Sequence, residues 1–157
     1  MMMKKLGQSV FAALTAYAGS ALALWAEFGP QLTIPGLKAA GDLTAHQYRV
    51  MRGAGANLVN ACSETAVTSL GAQQAIGVLQ NNPNTDEAAT VAYAGVSKAV
   101  AGAAVTANLM VTHNASAQVI NAVSGAVVIG RALEAAGAAG DKITVLLFPP
   151  VRWGAIL

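Results

Sequence analysis

Short apolar runs separated by turn residues make up most of the chain beyond residue 42. The run at 76–80 is followed by Asn-Asn-Pro-Asn, and the run at 142–148 is followed by Pro149-Pro150. Polar and apolar positions alternate at 47–52, which is the period of a strand with one buried face. Many short strands at this spacing predict a mainly β body, a small β-barrel or β-sandwich, over residues 42–148.

The first 41 residues have a different pattern. Apolar side chains between Phe11 and Trp25 fall near helical spacing, and the breaker pair Gly29-Pro30 ends this segment. Residues 31–41 are rich in turn residues and have the composition of a linker. The pattern therefore predicts an extended or helical N-terminal arm with its linker at 1–41, and the prolines predict a C-terminal tail at 149–157.

The N-terminal segment also has features of a targeting signal. A basic start, an apolar stretch and the small residues of Ala21-Leu22-Ala23 match a secretory signal peptide. Polar residues interrupt the stretch, so it falls short of the roughly 18 to 20 continuous apolar residues of a membrane span. We expect a retained arm and no membrane partner. The alternative is a secreted or periplasmic β-domain with a signal peptide and an unknown binding function.

Similar segments occur twice in the body, in the same order. ANLV at 56–59 resembles ANLM at 107–110, the Ile-Gly pair at 76 resembles that at 129, and the Thr-Val pair at 90 resembles that at 144. These similarities predict an internal duplication of a strand–turn–strand unit, with copies at 56–100 and 107–148. Chance similarity in a sequence rich in Ala, Gly and Val is the alternative.

The composition indicates a surface that is poor in charge. The chain is 55% hydrophobic and 10% charged, whereas globular domains average about 25% charged residues. A surface of this kind tends to be covered by another molecule, so we expect self-association or docking onto an assembly. The net charge is only +2 and no basic stripe with aromatics is present, so direct nucleic-acid binding is not expected.

The sequence contains no recognisable catalytic constellation. It has no phosphate-binding Gly loop, no H-E-x-x-H and no CxxC, and its single cysteine, Cys62, excludes an intramolecular disulfide and a Cys-based zinc cluster. We therefore predict a non-enzyme with no cofactor and no metal. A small β-barrel enzyme or ligand binder would need convergent polar groups in a pocket. The few candidates for such groups are His46, Tyr48, Arg49 and His113.

Taken in order, several segments resemble the small capsid decoration, or cement, proteins of tailed bacteriophages. They are IGVLQ at 76–80, EAATV at 87–91, GVSK at 95–98, VTAN at 105–108, IGRALE at 129–134 and DKITV at 141–145. The resemblance covers about residues 47–147 and rests on the order of the segments. It implies a structural virion protein on the outer surface of the capsid that stabilises the shell by bridging neighbouring major capsid subunits. It also implies association with copies of itself as a trimer or a local threefold cluster.

Both chain ends depart from the pattern of that family. The apolar N-terminal segment is long, and the tail contains Pro149-Pro-Val-Arg-Trp153. We expect one or both ends to contact the capsid or a neighbouring subunit, since Trp is favoured at interface hot spots. The candidate contact residues are Phe11, Leu14, Trp25, Phe28, Arg152 and Trp153.

Overall fold

A computed structural model describes residues 31–63 and 75–152, with only the backbone at residue 152. Within these ranges the chain forms ten strands and no helix, and therefore no helix that could cross a membrane. The prediction of a mainly β body is confirmed. The strands are β1 (Gln31–Ile34), β2 (Lys38–Ala39), β3 (Val50–Gly55), β4 (Leu58–Ala61), β5 (Ala75–Leu79), β6 (Val91–Val100), β7 (Met110–His113), β8 (Val119–Asn121), β9 (Val127–Ala132) and β10 (Lys142–Arg152).

All ten strands belong to one hydrogen-bonded sheet. Its order is β2-β4-β3-β5-β6-β10-β9-β7-β8, with β1 paired beside β6. The two longest strands, β6 with 10 residues and β10 with 11, form an antiparallel pair at the centre. From this central pair the order is β5-β3-β4 on one side and β9-β7-β8 on the other, so the two halves of the sheet have the same arrangement of hairpins.

Each half of the sheet curls around apolar side chains of its own. In the first half, the segment that contains β1 and β2 pairs with β6 through β1 and with β4 through β2. In the second half, β6 pairs with β10, and Ala101 just beyond β6 forms a parallel bridge with Val119 of β8. The first half encloses Ala39, Leu43, Met51, Val59, Leu79, Ala89 and Val91. Buried residues of the second half include Ala101, Val105, Val111, Val119, Ala132, Ile143 and Val145.

Backbone hydrogen bonds recur at corresponding places in the two halves. The amide of Tyr48 donates to the carbonyl of Leu79, and the amide of Asn108 donates to that of Ala132, both over 2.7 Å. Tyr48 and Asn108 also share a positive φ, at 63° and 66°. Tyr48 is therefore equivalent to Asn108, and Leu79 to Ala132. The residues paired with these across the neighbouring strands give further equivalent positions in the two halves. They include Arg49 with Leu109, Val50 with Met110, Ile76 with Ile129, Val78 with Arg131, Gln80 with Leu133, Ala92 with Leu146 and Tyr93 with Leu147.

This correspondence can be compared with the similarities seen in the sequence. It pairs the Ile-Gly at 76 with that at 129 and the Thr-Val at 90 with that at 144, as the sequence alignment does. It pairs Asn108 with Tyr48, however, and not with Asn57. The corresponding positions of the structure run from 48 to 93 in the first half and from 108 to 147 in the second half. The duplication at 56–100 and 107–148 stays a prediction.

The strands extend beyond the limits that the sequence suggested. β1 lies inside the segment that reads as a linker, because its residues pair with β6. β10 continues through Pro149 and Pro150 to Arg152, with a register shift between Leu147 and Val151. Proline has no amide to donate, so it is tolerated where the ladder is interrupted in this way.

Candidate interaction surface

The contact residues predicted at the chain ends fall almost wholly outside the described ranges. Arg152 ends β10, where its backbone pairs with Val127, and its side chain is outside the description. These residues stay predictions. Those outside the described ranges altogether are Phe11, Leu14, Trp25, Phe28 and Trp153.

An exposed apolar face lies on the second half of the sheet. Met110 pairs with Arg131, and Arg131 pairs with Leu146, so these side chains form one row across β7, β9 and β10 because directly opposite residues share a face. Leu146 is 40% exposed, and Leu133 beside the row is 45% exposed. We call the surface formed by these four residues the open face.

A polar network borders the open face beside Leu133. Glu134 accepts hydrogen bonds from the hydroxyl of Thr144 over 2.9 Å and from its amide over 3.0 Å, and the ammonium of Lys98 lies 3.7 Å from the carboxylate. The bonds from Thr144, followed by the charge of Lys98, lower the pKa of Glu134. An ion pair this exposed contributes little to stability, so the main effect of the network is to hold the turn after Leu133 against β10.

An apolar groove lies on the first half of the sheet. It has a volume of about 370 Å³ and is lined by Ile34, Ala75, Ile76, Tyr93 and Pro150. The hydroxyl of Tyr93 is the only side-chain polar group among these five residues. The groove is therefore suited to apolar side chains of a partner and not to a charged ligand.

A second, basic cleft lies where the two halves meet. It has a volume of about 410 Å³, and its lining includes His46, Arg49, Arg52 and Ser116. The guanidinium of Arg49 donates to the carbonyl of Ser116 over 2.8 Å, so this side chain already links the two halves. Burial, and then the positive charge of Arg49, lower the pKa of His46, so this cleft favours the neutral form of the imidazole.

Tyr48 and His113 are not among the residues that line this cleft. The Tyr48 ring lies 5.5 Å from the ammonium of Lys142, and the His113 side chain is buried. Cys62 does line the cleft, but burial raises the pKa of its thiol to about 12, so it is protonated at neutral pH and a poor nucleophile. Among the residues that the structure describes, no three His, Cys, Asp or Glu side chains are grouped to hold a metal ion.

Sequence reasoning missed the open face. Leu146 stands within an unbroken apolar run at 145–147, which is typical of a strand buried on both sides. In the fold, Val145 and Leu147 point inward and are buried, whereas Leu146 points outward. The cross-strand pairing with Arg131 brings the exposed residues together, and positions in sequence do not reveal that pairing.

Comparison with known proteins identifies the class to which this β body belongs. The sequence profile of the phage cement proteins matches residues 30–147. The chain belongs to this family and is therefore a structural protein associated with a phage capsid.

A solved structure shows a similar fold. The N base of the head fiber protein gp8.5 of bacteriophage phi29 matches with a TM-score of 0.52 and 13% sequence identity, covering 78% of this chain and 98% of that chain. At this identity the likeness concerns the fold alone. A search of curated proteins found no match.

Proposed function

We propose that this protein binds the outer surface of a phage capsid and stabilises the shell by bridging neighbouring major capsid subunits. The match of the cement protein profile to residues 30–147 is the observation that carries the proposal. The low charge of the chain and the exposed leucines of the open face support it, because both favour attachment through contact area. The protein also associates with copies of itself, as a trimer or a local threefold cluster.

The chain ends are the proposed capsid contacts. Residues 1–28 contain the apolar side chains Phe11, Leu14, Trp25 and Phe28, and Trp153 follows the last described strand. Burial of apolar surface contributes roughly 25 cal/mol per Å². Contacts repeated over a symmetric shell add to one another through avidity, so individually weak contacts are sufficient for stable attachment.

Removal of residues 1–28 is expected to give a protein that binds shells poorly. A full-length variant with Trp25→Ala and Phe28→Ala is expected to lose occupancy in the same direction, because it lacks two large apolar contacts. Occupancy is measured by incubating purified shells that lack the protein with each variant, followed by sedimentation and protein quantification.

Thr85→Ala is the control for this experiment, because Thr85 is exposed in a turn of the body and is expected to leave occupancy unchanged. Circular dichroism establishes that each variant is folded. Occupancy equal to that of the wild type after both arm changes would exclude the arm as the attachment point.

A further inference from the structure

One face of the first half is buried against the second half. Val50, Val78 and Ala92 form a row across β3, β5 and β6, and all three side chains are fully buried. They belong to the same buried cluster as Ile129 and Leu147 of the second half. The first half is thus covered by the second half at this row.

Hydrogen bonds fix this contact between the halves. The amide of Val50 donates to the carbonyl of Ala117 over 2.8 Å, and the side-chain amide of Gln80 donates to the hydroxyl of Ser97 over 3.0 Å. The hairpin between β7 and β8 therefore lies beside β3 of the first half. The contact combines apolar burial with directional bonds, as a specific interface does.

The open face is the corresponding surface of the second half. Met110, Arg131 and Leu146 occupy the positions that Val50, Val78 and Ala92 occupy in the first half. The row is buried in one half and accessible in the other, so the contact between the halves is not symmetric. The second half buries this row in the first half, whereas its own equivalent row is exposed.

The groove of the first half corresponds to the part of the second half that packs near the buried row. Ile76 and Tyr93 occupy the positions of Ile129 and Leu147, which belong to the buried cluster that contains the row of the first half. Ile76 and Tyr93 are partly accessible, whereas Ile129 and Leu147 are 1% and 3% exposed. Each chain therefore carries both surfaces of the internal contact a second time, and within the described ranges the residues at the corresponding positions of both surfaces are partly accessible or exposed.

We infer that a second copy of this chain docks its groove, with Ile76 and Tyr93, onto the open face, repeating between copies the packing that joins the two halves within one chain. This inference deepens the self-association in the proposed function by naming the two surfaces. The hairpin between β3 and β4 of the incoming copy lies beside Met110, because Asn57 and Ala117 hold corresponding hairpin positions with φ of 57° and 59°.

The contact is heterologous, since two different surfaces meet. Such a contact produces a closed ring when the rotation between copies completes a circle, and an extended chain when it does not. Arg131 is the one charged residue of the open face and is exposed. It is compatible with this contact only if its guanidinium stays in water while its aliphatic stem lies along the apolar surface of the other copy. Arginine is also enriched at protein interfaces.

Two full-length variants separate the two surfaces. Leu146→Lys places a charge on the open face, and Ile76→Lys places one in the groove. We expect each variant to raise the dissociation constant for self-association about tenfold or more, because a charged group is then buried at the centre of the contact. The mass of each sample is measured by sedimentation velocity over a range of concentrations.

Thr85→Lys is the matched control, because it adds the same charge at an exposed turn at the other end of β5 from Ile76, and it is expected to associate as the wild type does. Tyr93→Ala is a second groove variant, without an added charge, and is expected to weaken association in the same direction. Circular dichroism and thermal melting establish that all variants are folded.

A mixture of the Leu146→Lys and Ile76→Lys proteins distinguishes head-to-tail docking from other modes. The first variant keeps an intact groove and the second an intact open face, so the mixture is expected to form one-to-one dimers at concentrations at which each variant alone is monomeric. A mixture that stays monomeric overturns the inference. Either variant associating alone as strongly as the wild type also overturns it.

The wild type must self-associate for the inference to hold. If the wild type is a monomer at the highest soluble concentration, the inference is overturned. This holds also if the cause is that residues 1–30 of the same chain occupy the groove. Shell occupancy is measured separately with the same variants. If a variant no longer self-associates but still binds shells, the inference about self-docking is tested separately from the proposed capsid attachment, which is then unaffected.

Discussion

The chemistry of Cys62 is decided by its place in the fold. The side chain is 1% exposed and belongs to the buried cluster that joins the two halves. Burial disfavours the thiolate and raises the pKa to about 12, and the charge of Arg52 opposes this shift only in part. The single cysteine is therefore a packing residue of the half-to-half contact.

The raised pKa of Cys62 gives a prediction for stability against pH. The thiol of the unfolded chain titrates near 9.0 and that of the folded chain near 12, so its contribution is complete below pH 9 and declines as the pH rises toward 12. Between pH 9 and 10.5 we expect a loss of roughly 1 to 2 kcal/mol in the free energy of unfolding from this group. Urea denaturation at several pH values measures it.

Cys62→Ala is the control for the pH experiment. It lacks the titrating thiol and keeps the other basic groups, so its stability is expected to fall less over the same pH range. Identical pH profiles for the wild type and this variant would show that the thiol does not carry the effect.

At the scale of the strands, glycine permits a close approach at one place in each half. A Cβ atom on Gly130 would lie 2.5 Å from the carbonyl oxygen of Leu146, and one on Gly77 would lie 2.2 Å from that of Ala92. The obstacle in both cases is backbone, which a rotamer change cannot move. The Ile-Gly pair seen twice in the sequence therefore has the same steric role in both halves.

Gly130→Ala and Gly77→Ala are each expected to lower the free energy of unfolding by about 3 kcal/mol, because β9 or β5 must move away from its neighbour. Gly53→Ala in β3 is the control, since no heavy atom lies within 4 Å of its Cβ position, and we expect a change within about 0.5 kcal/mol. Urea denaturation measures all three variants. Equal stability of Gly130→Ala and Gly53→Ala would contradict this steric account.

At the scale of the whole molecule, the two halves differ in what surrounds corresponding positions. Val78 is fully buried and Arg131 is exposed, although each lies at the centre of the three-strand row of its own half. The residue types match these environments, since an unpaired guanidinium would be costly in the buried row. The two halves thus share the same pattern of strand pairing but differ in which side chains are buried.

Exchanging these two residue types tests the asymmetry. Val78→Arg is expected to lower the free energy of unfolding by about 3 kcal/mol or more, because it buries an unpaired charge between the halves. Arg131→Val is expected to change it by less than about 0.5 kcal/mol, because the position is exposed. Thermal and urea unfolding compare the two, and equal destabilisation would mean that the first-half row is not covered as described.

The mainly β fold and the protein family could be predicted from the sequence alone. Short apolar runs bounded by Gly, Pro and Asn specified strands, because local alternation and turn chemistry act within a few residues. The order of weak motifs indicated the cement proteins, and the profile match over residues 30–147 confirmed that family. The low charge content indicated an interaction surface, but it could not say where that surface lies.

Which apolar residues are covered could not be predicted from the sequence and follows from the three-dimensional packing. Val78 and Leu146 both read as core residues from their neighbours in sequence, yet one is fully buried and the other is 40% exposed. Burial depends on which half packs against which strand, and that depends on contacts between residues far apart in the chain. The same long-range pairing set the correspondence of Tyr48 with Asn108, where the sequence alignment had paired Asn57 with Asn108.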